Sequence, residues 1–137
     1  MCVPDPVLRK VDAVTVSVPN LPDGLAFYGS ALGQELRWRN DDIGQAGLAV
    51  PGSDTEIVLT TRHGYEPNWL VESVEDAVNA FEAGGGSVLS APMDIPVGRL
   101  AVVADPFGNV LVILDLSRGR YTTSADGSVT GVRPTDP

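Results

Sequence analysis

Residues 11–33, VDAVTVSVPNLPDGLAFYGSALG, decide the fold, because one run combines a strand, a helix cap and an amphipathic helix. Side chains of residues 11–18 alternate in polarity, which predicts a strand with one apolar face. Asn20 followed by a nearby proline is typical of a helix start. The apolar residues after it recur at spacings of four, three and four, so an amphipathic helix is predicted, which Gly33 ends. These residues are Leu21, Leu25, Tyr28 and Leu32.

Residues 66–116 repeat this order with an offset of 53 positions. Val18 falls on Val71, and the cap residue Asn20 falls on Ser73. Residues 67–71 predict a strand, and a second helix is predicted after Ser73, with its end at the glycines 84–86. Three strands are predicted after each helix, at residues 35–39, 44–50 and 55–61 in the first half and 87–91, 99–104 and 109–116 in the second.

Two repeats indicate a pair of modules, because a propeller or solenoid needs at least three. A chain of 137 residues is also too short for two ordinary domains, so we expect one domain over residues 1–137. Module one lies at about 11–61, module two at about 66–116, and a polar tail at 118–137. In the tail, Asp126 and Gly127 predict the turn of a small hairpin that packs on the domain or on a partner subunit.

Eighteen acidic and nine basic side chains give a formal net charge of −9. No nucleic-acid or membrane partner is expected, because such recognition calls for basic surfaces. The apolar run at residues 110–114 is far shorter than the roughly 20 residues that cross a bilayer. The acidic excess either serves solubility or attracts a cationic ligand.

The chain begins without the basic and apolar regions of a signal peptide, so a cytoplasmic location is expected. Cys2 is the only cysteine. It rules out an internal disulfide and a cysteine-based zinc site.

Four segments together resemble the glyoxalase/bleomycin-resistance/dioxygenase superfamily, which has the vicinal oxygen chelate fold. They are the strand at 11–18, LAFYGSALG at 25–33, VESVEDA at 71–77 and the DPFGN turn at 105–109. The resemblance covers residues 11–116 in order. It implies an α+β fold in which two βαβββ modules with curved mixed sheets form a cup, with the helices on the outer faces.

Enzymes of that superfamily hold a divalent metal in the cup through His, Gln or Glu side chains. By resemblance, the four ligand positions of this chain carry Ala13, Glu66, Val112 and either Val58 or Leu59. One carboxylate is too few, since catalytic metals usually need three protein ligands. No metal and no other cofactor is therefore expected. A divalent metal belongs only to the alternative of a rebuilt site, for which Glu56 and His63 are the nearest substitutes.

The first functional hypothesis is a metal-free, homodimeric protein that binds a small organic molecule, in resistance or sequestration, and is not an enzyme. Bleomycin-resistance proteins are the relatives that this hypothesis resembles. The alternative is a lyase-type or dioxygenase-type enzyme with a rebuilt metal site or with Glu66 as acid or base. A third hypothesis is a structural or regulatory domain whose cup stays empty.

Strand alternation and the resemblance predict six ligand-binding residues: Trp38, Glu66, Asn68, Met93, Arg99 and Val112. Trp38 stacks on a ligand or makes a dimer or edge contact. Glu66, the one catalytic candidate, either faces a cationic ligand or is a solvated strand end. Asn68 orients a polar group or caps a strand, and Met93 forms an adaptable wall if its loop folds inward. Arg99 binds an anionic group or makes a surface salt bridge.

Overall fold

The computed structural model describes residues 5–134, so Cys2 and residues 135–137 lie outside the described part of the chain. The elements in chain order are β1 (Lys10–Ser17), α1 (Leu21–Gly24) with a π-helical continuation (Leu25–Ala31), β2 (Leu36–Asn40), β3 (Gln45–Val50), β4 (Ser53–Thr60), β5 (Glu66–Leu70), α2 (Val74–Ala83), β6 (Ser87–Ile95), β7 (Gly98–Ala104), β8 (Val110–Asp115), β9 (Arg120–Thr123) and β10 (Val129–Arg133). The predicted order of one strand, one helix and three strands is confirmed in both halves.

The chain divides into two compact units. The first unit consists of Asp12–Pro67 and Tyr121–Arg133, and the second consists of residues 5–11, Asn68–Arg120 and Pro134. The β9–β10 hairpin, which the sequence predicted around Asp126 and Gly127, therefore belongs to the first unit. Within residues 5–134 no helix is long and apolar enough to span a bilayer.

The two units contain mixed sheets of the same design, as the α+β prediction requires. In the first, the strand order is β2-β3-β4-β1, with β1 parallel to β4 and β3 antiparallel to its neighbours. In the second, the order is β5-β8-β7-β6, with β5 parallel to β8 and β7 antiparallel to its neighbours.

Each sheet packs one face against its own helix. In the first unit this cluster contains Val18, Leu21, Ala46, Leu48 and Leu59. In the second unit it contains Val71, Val74, Ala77, Val78, Ala101, Val103 and Ile113. Both clusters follow from the alternation along the strands, which aims every second side chain at the helix.

The predicted helix caps are confirmed. The side chain of Asn20 accepts a hydrogen bond from the Asp23 backbone amide at 2.8 Å, and Ser73 accepts one from the Asp76 amide at 3.3 Å. Each cap satisfies an amide that has no partner inside its helix. Gly33, at φ +80, ends the first helical segment as predicted.

The winding of the first helix differs from the prediction. From Leu25 onward it is a π-helix, in which the Leu32 amide donates to the Phe27 carbonyl five residues back. The wider turns rotate later side chains away from an α-helical stripe. Leu32, predicted as part of the buried stripe, is therefore 53% exposed, whereas Leu25 and Tyr28 still pack on the core.

The DPFGN turn forms as the sequence indicates. The Asp105 carboxylate accepts hydrogen bonds from the backbone amides of Phe107 and Asn109 at 2.8 and 2.9 Å. It also accepts one from the Asn109 side chain, which lowers the pKa of Asp105. Gly108 takes φ +94, a conformation that favours glycine.

A buried carboxylate ties the second unit together where β7, β8 and α2 meet. Asp115 Oδ2 accepts a hydrogen bond from the Val74 amide at 3.0 Å, and Oδ1 accepts from the Arg99 and Ser117 amides at 3.1 and 3.2 Å. Asp115 is only 3% exposed. A Cβ at Gly98 would lie 2.6 Å from Oδ1, so only glycine allows this close approach.

Substitution of Asp115 should destabilise the protein. In Asp115→Asn one acceptor oxygen becomes an amide group that faces a backbone N–H, so we expect the free energy of unfolding to fall by about 2 kcal/mol or more. Denaturant unfolding measures this loss. The control Asp42→Asn removes an exposed carboxylate and should change stability by less than about 0.5 kcal/mol. Equal stabilities of the two variants would contradict the role assigned to Asp115.

Candidate functional site

The strand registers identify the residues at the four positions where the resemblance places metal ligands. Thr15 pairs with Val58, and Asn68, which lies 53 residues after Thr15, pairs with Val112. Val58 is therefore the counterpart of Val112, whereas Leu59 packs on the helix side of its sheet. The open choice between Val58 and Leu59 is thus resolved in favour of Val58.

The side chains at these positions do not suit a divalent metal. Ala13, Val58 and Val112 are 5%, 6% and 6% exposed and have no donor atom, which leaves the carboxylate of Glu66. Of the proposed substitutes, Glu56 accepts a hydrogen bond from the Trp38 indole, and His63 is exposed. Within residues 5–134 no group of three His, Cys, Asp or Glu side chains is arranged to hold a metal.

Trp38 lies in a core that the sequence did not predict. On the sheet face opposite the first helix, Trp38 clusters with Ala13 and Val58, and Tyr121 and Val129 of the β9–β10 hairpin pack on them. The Trp38 and Tyr121 rings lie 4.9 Å apart between centroids, at an interplanar angle of 44°. Trp38 thus packs against an aromatic residue of its own chain.

Two features of the sheet determine where the Trp38 indole lies. A register shift between Leu36 and Trp38 turns these residues to opposite faces, although regular alternation would put them on one. Gly47, the partner of Trp38 on β3, leaves the space that the ring fills, because a Cβ there would collide with Nε1. Nε1 then donates to Glu56 Oε1 at 2.9 Å.

The hairpin is anchored to the first sheet by few polar contacts. The Arg39 amide donates to the Gly127 carbonyl at 2.8 Å, and the side chain of Asn40 interacts with the Tyr121 hydroxyl. Burial raises the pKa of Tyr121, and the interaction with Asn40 opposes that rise. At the hairpin turn, the Ser124 hydroxyl donates to Asp126 at 2.5 Å and helps to lower the pKa of Asp126 to about 2.

In the second unit, Asn68, Val112 and Met93 share the sheet face opposite α2. The registers form two rows across the sheet, Asn68–Val112–Val102–Ser90 and Leu70–Leu114–Leu100–Met93. These two rows are therefore apolar apart from one amide and one hydroxyl. Met93 is 45% exposed and lies in β6, which corrects the expectation that it belongs to a loop, because β6 runs four residues past its predicted end.

Arg99 lies on the other face of this sheet, because it precedes Leu100 in β7. Its guanidinium forms ion pairs with Glu75 of α2 at 2.6 Å and with Asp94 at 2.9 Å. The hydrogen bond to Asp94 raises the pKa of Arg99 most, and the hydrogen bond to Glu75 raises it further. The salt-bridge interpretation of Arg99 is confirmed, and its binding of an anionic ligand stays a prediction that would require these pairs to open.

Glu66 is half-buried at the first position of β5, two residues before Asn68. Its backbone carbonyl accepts a hydrogen bond from the Thr15 hydroxyl at 3.1 Å, and the same hydroxyl contacts the Gly64 carbonyl at 2.8 Å. The backbone is thus fixed, whereas the Glu66 carboxylate forms no hydrogen bond or ion pair within residues 5–134.

An open groove of about 590 Å³ lies elsewhere in the second unit. Its lining comprises Arg9, Leu70, Val71, Glu72, Leu116, Ser117 and Arg120. None of the six predicted ligand-binding residues lines it, and it meets the face of Asn68 and Val112 at Leu70. This groove and the six predicted ligand-binding residues therefore do not coincide.

Comparisons with known proteins agree with this architecture. Residues 10–113 match the sequence model of the Glyoxalase/Bleomycin resistance protein/Dioxygenase superfamily. An uncharacterized protein of Mycolicibacterium smegmatis is 32% identical over an aligned length of 110 residues, and the match covers 76% of this chain and 91% of that protein. The anthracycline biosynthesis protein DauV of Streptomyces sp. strain C5 is 34% identical over an aligned length of 113 residues, and the match covers 74% of this chain but only 39% of DauV.

A solved structure shares the fold. Methylmalonyl-CoA epimerase from Mycobacterium tuberculosis superposes with a TM-score of 0.63 at 20% identity, over 83% of this chain and 92% of the epimerase.

The packing of Trp38 predicts the effect of a methyl group at Gly47. In Gly47→Ala the new Cβ displaces the indole and breaks its bond to Glu56, so we expect a loss of about 1–3 kcal/mol in unfolding free energy and a red shift of tryptophan emission. Gly64→Ala is the matched control, because no atom lies within 4 Å of its added methyl. The described packing would be wrong if both variants unfolded at the same denaturant concentration.

Proposed function

Because this chain belongs to the Glyoxalase/Bleomycin resistance protein/Dioxygenase superfamily, we propose that it binds a small organic molecule without a metal, as a homodimer, in resistance or sequestration. The observation that carries this proposal is the replacement of the superfamily's ligand positions by the buried aliphatic residues Ala13, Val58 and Val112. All three side chains give a metal nothing to bind, and Val112, which lies outside the cluster that Tyr121 and Val129 cover, is the one that we place in contact with a ligand.

The sheet face that carries Asn68, Val112 and Met93 is the surface on which we place the ligand. Its two rows are apolar except for Asn68 and Ser90. Small-molecule sites commonly combine an apolar lining with a few polar groups that fix orientation. In this proposal Asn68 is the orienting group and Met93 is the adaptable wall.

The ligand class that we propose is a planar aromatic compound that carries a positive charge. A net charge of −9 attracts cations, and the carboxylate of Glu66 lies two residues before Asn68 on the same strand. DauV is named for anthracycline biosynthesis, and anthracyclines are aromatic, amine-bearing compounds of this class. An anthracycline is therefore a suitable first probe. For the biological ligand we propose only the class, a planar aromatic compound with a positive charge.

The metal-free part of the proposal is tested by metal analysis. Protein purified without chelators, and again after incubation with nickel, zinc, manganese and ferrous iron, should contain far less than one metal ion per chain. One carboxylate cannot compete with water for a divalent ion without further ligands. Stoichiometric metal after dialysis would overturn this part and favour the chelating enzymes of the superfamily.

The ligand-binding part is tested by thermal shift and calorimetry with an anthracycline and with neutral and cationic aromatic compounds. A ligand at 100 times its Kd adds about 2.7 kcal/mol of stability. Asn68→Ala should raise the Kd of a binding compound by about tenfold, which is the effect of losing one hydrogen bond. Asn79→Ala, the same change at an exposed position of α2, should leave its Kd unchanged. A screen without any stabilising compound would contradict the proposal.

Glu66→Gln separates binding from the enzymatic alternative, in which Glu66 acts as acid or base. The observation that favours this alternative is the half-buried Glu66 carboxylate without a hydrogen bond in residues 5–134. For a binding protein, the variant should raise the Kd of cationic compounds by about tenfold and leave the Kd of neutral compounds unchanged. For an enzyme, Glu66→Gln should abolish turnover. For a purely structural domain, the substitution should change neither ligand binding nor turnover.

A further inference from the structure

The β9–β10 hairpin covers two of the four positions that correspond to ligand positions in the superfamily. Ala13 and Val58 both lie in the cluster on which Tyr121 and Val129 pack. We name the surface formed by Ala13, Trp38, Gly47 and Val58 the Trp38 face. In the first unit, the place of a bound molecule is therefore taken by residues of the same chain.

The Tyr121 side chain has the features of a bound aromatic ligand. Its ring packs on the Trp38 indole at a centroid distance of 4.9 Å, and the side chain of Asn40 interacts with its hydroxyl. An apolar surface thus holds the ring and one polar group fixes the hydroxyl, as in small-molecule sites. The site accepts a phenol, and the phenol is supplied by position 121.

We propose that the Trp38 face is a second binding site, specific for planar aromatic compounds with a hydroxyl group, and that Tyr121 occupies it as an internal competitor. This inference rests on the proposed binding function, and it concerns residues of the first unit, whereas Asn68 and Val112 belong to the second. A phenolic ligand enters when the β9–β10 hairpin leaves, and it takes over the contacts of Tyr121 with Trp38 and Asn40.

The attachment of the hairpin is weak enough for displacement. The hairpin joins the edge strand β2 through the Arg39–Gly127 backbone hydrogen bond and a single bridge between Arg39 and Ser128. Its own strands are four and five residues long, and an isolated two-stranded hairpin is marginally stable in water. The Tyr121 ring and Val129 therefore supply most of the contact that a ligand must replace.

A competitor inside the protein reverses the usual effect of removing a contact residue. The apparent Kd equals the intrinsic Kd divided by the fraction of molecules with an open site. Removal of the Tyr121 ring raises that fraction, so it strengthens ligand binding. Removal of a residue that contacts the ligand weakens binding.

The experiment uses p-cresol, which is the tyrosine side chain as a free molecule, and 2-naphthol as a larger probe, with the full chain throughout. Tyr121→Ala should bind p-cresol at least tenfold more tightly than the unsubstituted protein, as measured by calorimetry. Tyr65→Ala is the matched control, because Tyr65 is 77% exposed, and its affinity should equal that of the unsubstituted protein. If Tyr121→Ala does not fold, Val129→Ala loosens the same hairpin and should tighten binding at least threefold.

Hydrogen exchange tests displacement in the unsubstituted protein. Saturating 2-naphthol should accelerate exchange of the Arg39 amide, whose acceptor is Gly127 of the hairpin, at least tenfold, while the Leu48 amide of β3 stays protected. Unchanged Arg39 exchange, or an affinity of Tyr121→Ala no better than that of the control, would overturn the inference. Suppose that a compound binds less tightly to Asn68→Ala and leaves the exchange rate of the Arg39 amide unchanged. This result would support the proposed function and overturn only the second site.

Discussion

Each sheet of this protein has two apolar faces, and the helix of its own half covers only one of them. Buried aliphatic residues on both faces follow from strands such as β4, where Val58 and Leu59 point to opposite sides and both are buried. Something other than the helix must therefore keep water from the second face. In the first unit a hairpin from residues 120–133 does so, and in the second unit residues 68–120 add no such hairpin to the four strands.

This difference between the halves changes how the loss of the superfamily's metal ligands is understood. At Ala13 and Val58 the aliphatic side chains are needed to pack Tyr121 and Val129, so their presence has a structural reason in this chain. Val112 is equally buried but does not belong to the cluster that the hairpin covers, and in our proposal its sheet face contacts a ligand. The same change in chemistry thus serves packing in the first unit and, in our proposal, binding in the second.

Much of the fold could be predicted because its signals are local. Alternation located the strands, Asn20 and Ser73 located the helix starts, and Asp105 with Gly108 located a turn, each through bonds to residues only a few positions away. The site was harder to predict because its contacts are distant in sequence. Trp38 meets Tyr121 across more than 80 residues, and the register shift in β2 that turns the indole toward it has no local sequence signal. For Arg99 the sequence predicted an ion pair and a ligand contact equally, because its ion-pair partner Glu75 lies 24 residues earlier in the chain.

The hairpin that completes the first unit is synthesised after every strand that it covers. A ribosome adds about 5–20 residues per second, so β2 and its Trp38 exist for several seconds before Tyr121 is made. During that interval the nascent first unit carries an aromatic surface without its cover, which is the kind of surface that chaperones bind and that aggregates form from. A chain that ends prematurely before residue 120 lacks the hairpin, so about the last eighth of the sequence supplies the cover for an apolar surface of the first half.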